Sequence, residues 1–132
     1  MPLKISLKPG EKLFIAGAVI QNGDHSAELS VLNDVPVLRE KDILTEQTAN
    51  TLAKRLYLCV QLMYMDAAHL SEYQRKYALL VTEVLKQWPE SADVMAKINA
   101  ELACGRFYPA LRLARQLLQI EQEHQGDEPS CA

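Results

Sequence analysis

The chain predicts an α+β fold, a small five-stranded antiparallel β-sheet followed by a four-helix region, and three observations carry that prediction. Apolar residues alternate with period two through the first third; at Leu44 the period changes to that of a helix; and Gly or Pro stands where elements must stop. The 132 residues, 48% of them hydrophobic, suit one domain or two small ones. The boundaries read as a β domain over 1–44, a helical domain over 45–125 and a flexible tail over 126–132.

Leu3, Ile5 and Leu7 share one face of the first strand, with Lys4, Ser6 and Lys8 opposite. Pro9-Gly10 turns the chain into a second strand, "KLFI", which Gly17 ends, and "AVIQ" makes a third. Asn22-Gly23-Asp24 is the strongest hairpin signal, because Asn and Gly both tolerate the positive φ of a tight turn. It predicts a fourth strand, "AELSVL", paired in a meander. In "VPVLREKDIL", Val35, Val37 and Arg39 line one face of a fifth strand; Pro36 cannot donate to a ladder, so this strand begins or edges its sheet. So small a β region buries too little to stand securely alone and leans on the helices or on a second copy of the chain.

Thr45, with Glu46 behind it, predicts the first helix N-terminus. Leu52, Leu56, Cys59, Val60 and Met63 form one stripe, yet "LYLCVQLMYM" is apolar almost all the way round, which marks a helix that is central or packed against another subunit. Asp66 is placed to cap the second, whose face is Leu70, Tyr73, Tyr77, Val81, Val84, Leu85 and Trp88, stopped by Pro89. A short third helix runs from Ser91 or Asp93 through Met95, Ile98 and Leu102 to Gly105. The fourth runs from about Phe107 to His124, with Pro109 in its first turn and Leu111, Ala114, Leu117 and Leu118 on its stripe.

A net charge of −3, from 14 basic and 17 acidic residues, excludes a protein whose main task is non-specific polyanion binding. Any nucleic-acid contact must be local and shaped. Cys59, Cys104 and Cys131 stand in no close spacing; the first two read as small buried side chains and the third as a loose thiol. His25, His69 and His124 fall in three different elements, and no phosphate loop, nucleophile elbow or His-Glu zinc motif occurs. The expectation is therefore a non-enzyme with no catalytic residues, no cofactor and no metal. No leader is read before the first strand and no apolar run reaches the ~18 residues of a membrane span, which predicts a cytoplasmic protein with no membrane partner.

Two stretches are more pointed. "LKPGEKLFI" and "VPVLREK", in this order, resemble the small RNA regulator CsrA, whose chain opens with a strand, basic residues, a Gly-Glu turn and a strand, and closes with a Val-x-Val-x-Arg-Glu segment. "MPLKISLKPGEKLFIAGAVIQNGD", "LNDVPVLREKDILTEQTANTLAKRLYLCVQLMYMD" and "GRFYPALRLARQL" together, nearly the whole chain, resemble the flagellum biosynthesis repressor FlbT family. That likeness implies a post-transcriptional regulator that acts on the 5′ untranslated region of flagellin mRNA. Family members promote message decay or restrain translation, some are instead required for flagellin expression, and the usual counterpart is the regulator FlaF.

The CsrA likeness implies RNA contact along an edge built from the first strand of one protomer and the last strand of the other: Ile5 and Lys8 match on the first strand, Val37 and Arg39 on the last. It also implies a homodimer. One expected basic position holds Leu7 instead. Arg39 brings a planar five-donor fork suited to phosphate or a guanine edge. Its plain alternative is an ion pair with Glu40 or Asp42, while Glu11 orients the turn. "GRFYPALRLARQLL" resembles the opening helix of a tetratricopeptide-like repeat, where such residues knit a helix pair. A sharper reading makes Phe107 and Tyr108, with Tyr57 and Tyr64 of the "LYLCVQLMYM" helix, a docking groove for a helical partner. The competing function follows from it: an adaptor or chaperone-like module for flagellin, its export apparatus or FlaF, acting without RNA.

Overall fold

The computed structural model describes residues 3–127 and is α+β, with five antiparallel strands in two sheets and then four helices. It divides into two compact units, ending and beginning at Ile43 and Leu44. The last five residues of the predicted tail lie outside the described residues; its first two belong to the fourth helix.

In the first unit β1 (Leu3–Leu7) pairs with β4 (Ala27–Val31), while β2 (Lys12–Ile15) pairs with both β3 (Ala18–Gln21) and β5 (Val37–Arg39). The strands are thus not one meander, and the single five-stranded sheet is corrected to a two-stranded and a three-stranded one. β1 and β4 alternate as expected, whereas β2 and β5 bury residues on both faces, Phe14 and Leu38 included. Ile5, Leu7, Leu13 and Val37 form the buried core, flanked by Ile15, Ile20, Leu29, Val31 and Val35.

The tight hairpin joins β2 to β3 and not β3 to β4. Its two-residue turn falls on Ala16 and Gly17, with φ of 50° and 95°, between the paired residues Ile15 and Ala18. Both positions need positive φ, and an alanine takes one of them at some steric cost. Asn22 is used differently. Its Nδ2 donates to the carbonyls of Lys8 (2.9 Å) and His25 (2.7 Å), with that of Leu7 at 3.3 Å, so it clamps the β1–β2 turn against the β3–β4 connection. Gly10, at φ 73°, completes the Lys8–Glu11 turn, closed by a 3.1 Å bond from Glu11 N–H to Lys8 C=O. Pro36 does precede an edge strand; its carbonyl accepts from Ala16 N–H at 2.8 Å, which extends the ladder without a donor.

The helices are α1 (Leu52–Met65), α2 (Leu70–Gln87), α3 (Ala92–Ala103) and α4 (Phe107–Asp127). α1 packs against both α2 and α4, the central one of the two places its all-round apolarity predicts. It starts seven residues after Thr45. Thr45 and Thr48 exchange backbone-to-hydroxyl bonds (2.8 and 3.2 Å) and close a single isolated turn, leaving Thr51 to cap α1 through Lys54 N–H. A second cap reaches α1 from α4, where the buried Glu121 carboxylate accepts from Ala53 N–H at 3.0 Å. Buried Gln61 bonds both backbone groups of Leu44 at 2.9 Å.

Asp66 holds the α1–α2 corner by side-chain partners rather than as a backbone cap, accepting from Tyr73 Oη (2.7 Å) and meeting His69 Nδ1 (2.9 Å). Gly105, at φ 74°, ends α3 as its position predicts. Cys59 is buried, but Cys104 is exposed at the end of α3, which corrects the expectation of two buried thiols; Cys131 lies outside the described residues. Among the described residues no helix is long and apolar enough to cross a membrane.

Candidate nucleic-acid interface

β5 sets the site. Arg39 pairs across the ladder with Leu13, so it stands on the core-facing side of its strand at the rim of the β core. Its Nη1 donates to Ser6 C=O at 3.0 Å and lies 3.6 Å from Glu11 Oε2. The other oxygen of Glu11 accepts from Lys8 N–H at 2.9 Å. One carboxylate therefore orients the turn and holds Arg39, whose ion partner is Glu11 rather than Glu40 or Asp42.

Around this pair opens a cleft of about 600 Å³ whose lining includes Ser6, Lys8, Glu11, Glu28, Arg39 and Lys41. Lys8 and Lys41 are exposed and Arg39 is about one third exposed. Two ammonium groups and a guanidinium face two carboxylates, a local cationic excess in an acidic chain. Such a group can take a phosphate of an accessible single strand, with Arg39 positioned by Ser6 and Glu11 instead of swinging freely.

The structure brings Arg39 and Lys8 together but not the two aliphatic candidates. Ile5 and Val37 are core residues, 5% and 9% exposed. Leu7 is buried in the same core, which explains why no basic residue stands there: a charge at that position would lose its water. Lys41 was missed in the sequence. Its only signal is its place two residues beyond Arg39, and a 3-10 turn over Glu40–Asp42 brings it round to the cleft. Of the helical candidates, Tyr57 is buried at 2% and Phe107 is half-buried. Tyr64 and Tyr108 meet as tilted rings with centroids 5.4 Å apart and join α1 to α4, so these residues knit a helix pair. Among the described residues no group of three His, Cys, Asp or Glu side chains is placed to hold a metal ion.

The family model described as flagellar protein FlbT matches residues 3–124. The chain belongs to the FlbT family. A curated FlbT relative from Rhodopseudomonas palustris (strain TIE-1), named a probable flagellum biosynthesis repressor protein, is 40% identical over 93% of this chain and 97% of its own length. One of the same name from Caulobacter sp. (strain K31) is 40% identical over 96% and 98%, and the flagellum biosynthesis repressor protein FlbT of Caulobacter vibrioides (strain ATCC 19089 / CIP 103742 / CB 15) is 38% identical over 96% and 91%. No solved structure matches. The FlbT match runs through both units.

Proposed function

We propose that this FlbT-family chain is a cytoplasmic regulator of flagellar synthesis that acts after transcription, binding the 5′ leader of flagellin mRNA at the Lys8–Arg39–Lys41 cleft and restraining translation or favouring decay. The observation that carries this is the convergence of those three cations on one cleft in an otherwise acidic chain. A homodimer fits the same reading, because among the described residues β1 and β4 pair only with each other, which leaves each an outer edge towards a second copy. FlaF is the proposed protein counterpart.

The test is titration of flagellin leader RNA at two salt concentrations. Arg39→Ala should weaken binding by more than ~1 kcal/mol, and Lys8→Ala with Lys41→Ala should each lower the salt slope by about one. Circular dichroism controls for the loss of the Ser6 contact. Unchanged affinity in the Arg39 variant removes the cleft from the site.

The second reading is an adaptor that engages flagellin or FlaF without RNA, and the pairing of Arg39 with Glu11 favours it, since that ion pair must be disturbed before a phosphate is gripped. Absence of any leader-RNA binding by the unaltered chain would decide for it.

A further inference from the structure

The outer side of the α1–α2 pair carries a groove of about 400 Å³, and it is built unlike the cationic cleft. Leu58 and Leu62 of α1 and Tyr73, Leu79 and Leu80 of α2 wall it, and Leu79 is 73% exposed although it sits among apolar neighbours. Leu79 lies off the α2 stripe that packs inward through Tyr77, Val84 and Trp88, so α2 has a second apolar edge that the fold leaves in water. Cys59 lies in the same lining; its thiol donates to Tyr73 C=O at 3.2 Å and burial pushes its pKa up to about 11, so it serves as apolar wall and not as a nucleophile.

Two cations flank the apolar walls, Arg55 from α1 and Lys76 from α2. Among the described residues neither has an ion pair, although the chain is acidic and carries carboxylates to spare. Glu46 stands in the lining as the single opposing charge. The walls are helices whose backbone groups are bonded internally, so the groove has no free edge to which an extended strand could add. An occupant must satisfy its own backbone, which a helix does. Arg55 to Leu62 and Tyr73 to Leu80 each cover seven residue steps, roughly 10 Å of helix axis, the span of anchors at i, i+3 or i+4, and i+7.

We infer that the α1–α2 groove is a docking site for an amphipathic helix of another protein, one that carries acidic residues beside its apolar anchors to meet Arg55 and Lys76. The inference is independent of RNA binding by the β unit.

The test uses the full chain and a fluorescein-labelled amphipathic peptide of about 15 residues, with Leu at i, i+4 and i+7 and Glu on the flanks, against the same peptide with Lys for Glu. Fluorescence anisotropy should show the acidic peptide binding about tenfold tighter than the basic one. Leu79→Glu, a change at an exposed position, should reduce acidic-peptide binding by about tenfold or more, and Lys76→Glu should reverse the preference between the two peptides. Equal binding of both peptides, or full binding to the Leu79 variant, overturns the assignment. If light scattering shows that Leu79→Glu converts a larger species to monomer, the occupant is a second copy of this chain and the partner-helix assignment falls.

Discussion

In the β unit Ile5, Leu7, Leu13 and Val37 make one buried cluster, and Phe14 and Leu38, opposite each other on β2 and β5, are buried as well. The helical unit instead buries Leu56, Val60, Met63, Met95, Ile98, Leu111 and Leu117 to 1% exposure or less. Polar groups do different work in the two. Helices complete their backbone bonds internally and need help only at their ends, where Thr51 and Glu121 supply it to α1. Short strands joined by tight turns leave backbone groups to be met at every corner, and Asn22, Glu11 and Arg39 meet them in the β unit. The proposed RNA cleft is assembled from those same corner-holding side chains, so in this unit the site and the structural ties share residues. In the helical unit the exposed rim of the proposed docking groove, Leu79 above all, lies off the packed stripe, while Cys59 and Tyr73 in its floor also serve the fold.

The sharpest way to break that comparison is to remove one core leucine from each unit. Leu13→Ala and Leu111→Ala should each cost about 2–5 kcal/mol. A unit of the size of residues 3–43 has only about 2–6 kcal/mol of stability to lose, by the usual figure per residue. Leu13→Ala should therefore unfold the β unit while the helical circular dichroism signal persists, whereas Leu111→Ala should shift a helical transition that remains cooperative. Simultaneous loss of both units on Leu13→Ala would show that they unfold as one.

A smaller effect should follow from Asn22→Ala, which strips donors from the carbonyls of Lys8 and His25: about 1–3 kcal/mol, read as a lower urea midpoint for the β unit. A loss well under 1 kcal/mol would mean that water replaces the Asn22 amide and that the corner ties matter less than the core.

The smallest effect concerns pH at the α1–α2 corner. The hydrogen bond from Tyr73, and after it that from His69, holds the Asp66 carboxyl below its ordinary range. The same contact, first among its causes, raises Tyr73 to about 12. A depressed carboxyl pKa stabilises the fold above its unfolded value, and that contribution fades as pH falls through the folded value. A raised tyrosine pKa contributes below about 10 and is lost as pH climbs towards about 12. Tyr73→Phe should thus flatten the acid limb of the stability curve, where pH falls through and below the ordinary carboxylate range, followed by circular dichroism. An unchanged acid limb would show that this exposed corner is fully screened by solvent.

Much of the fold was legible because it depends on local periodicity. The alternation through Ile5, Leu7 and Val37 placed these residues inward, and the stripes through Tyr77, Val84, Leu111 and Leu117 placed the helices. Strand partners were not legible. Asn22-Gly23 carries the right chemistry for a tight turn, but Ala16-Gly17 took the turn, because pairing β2 with both β3 and β5 joins Leu13 to the Ile5–Leu7 face in one core. The proposed site was half legible: motif likeness singled out Arg39 and Lys8, which line one cleft, while Lys41 needed the 3-10 turn that brings it there.

By itself, then, the sequence determined which residues face inward, where β gives way to α near Leu44, and that Arg39 ends an edge strand. Those features depend on a few neighbouring residues and their side-chain period. Only the tertiary structure decided that Arg39 answers to Glu11 and Ser6, that β1 pairs with β4, and that Glu121 caps a helix 68 positions before it. Each of these pairings joins residues far apart in the chain, and the closure entropy of ordering such loops is offset by the whole core at once, which no local pattern records.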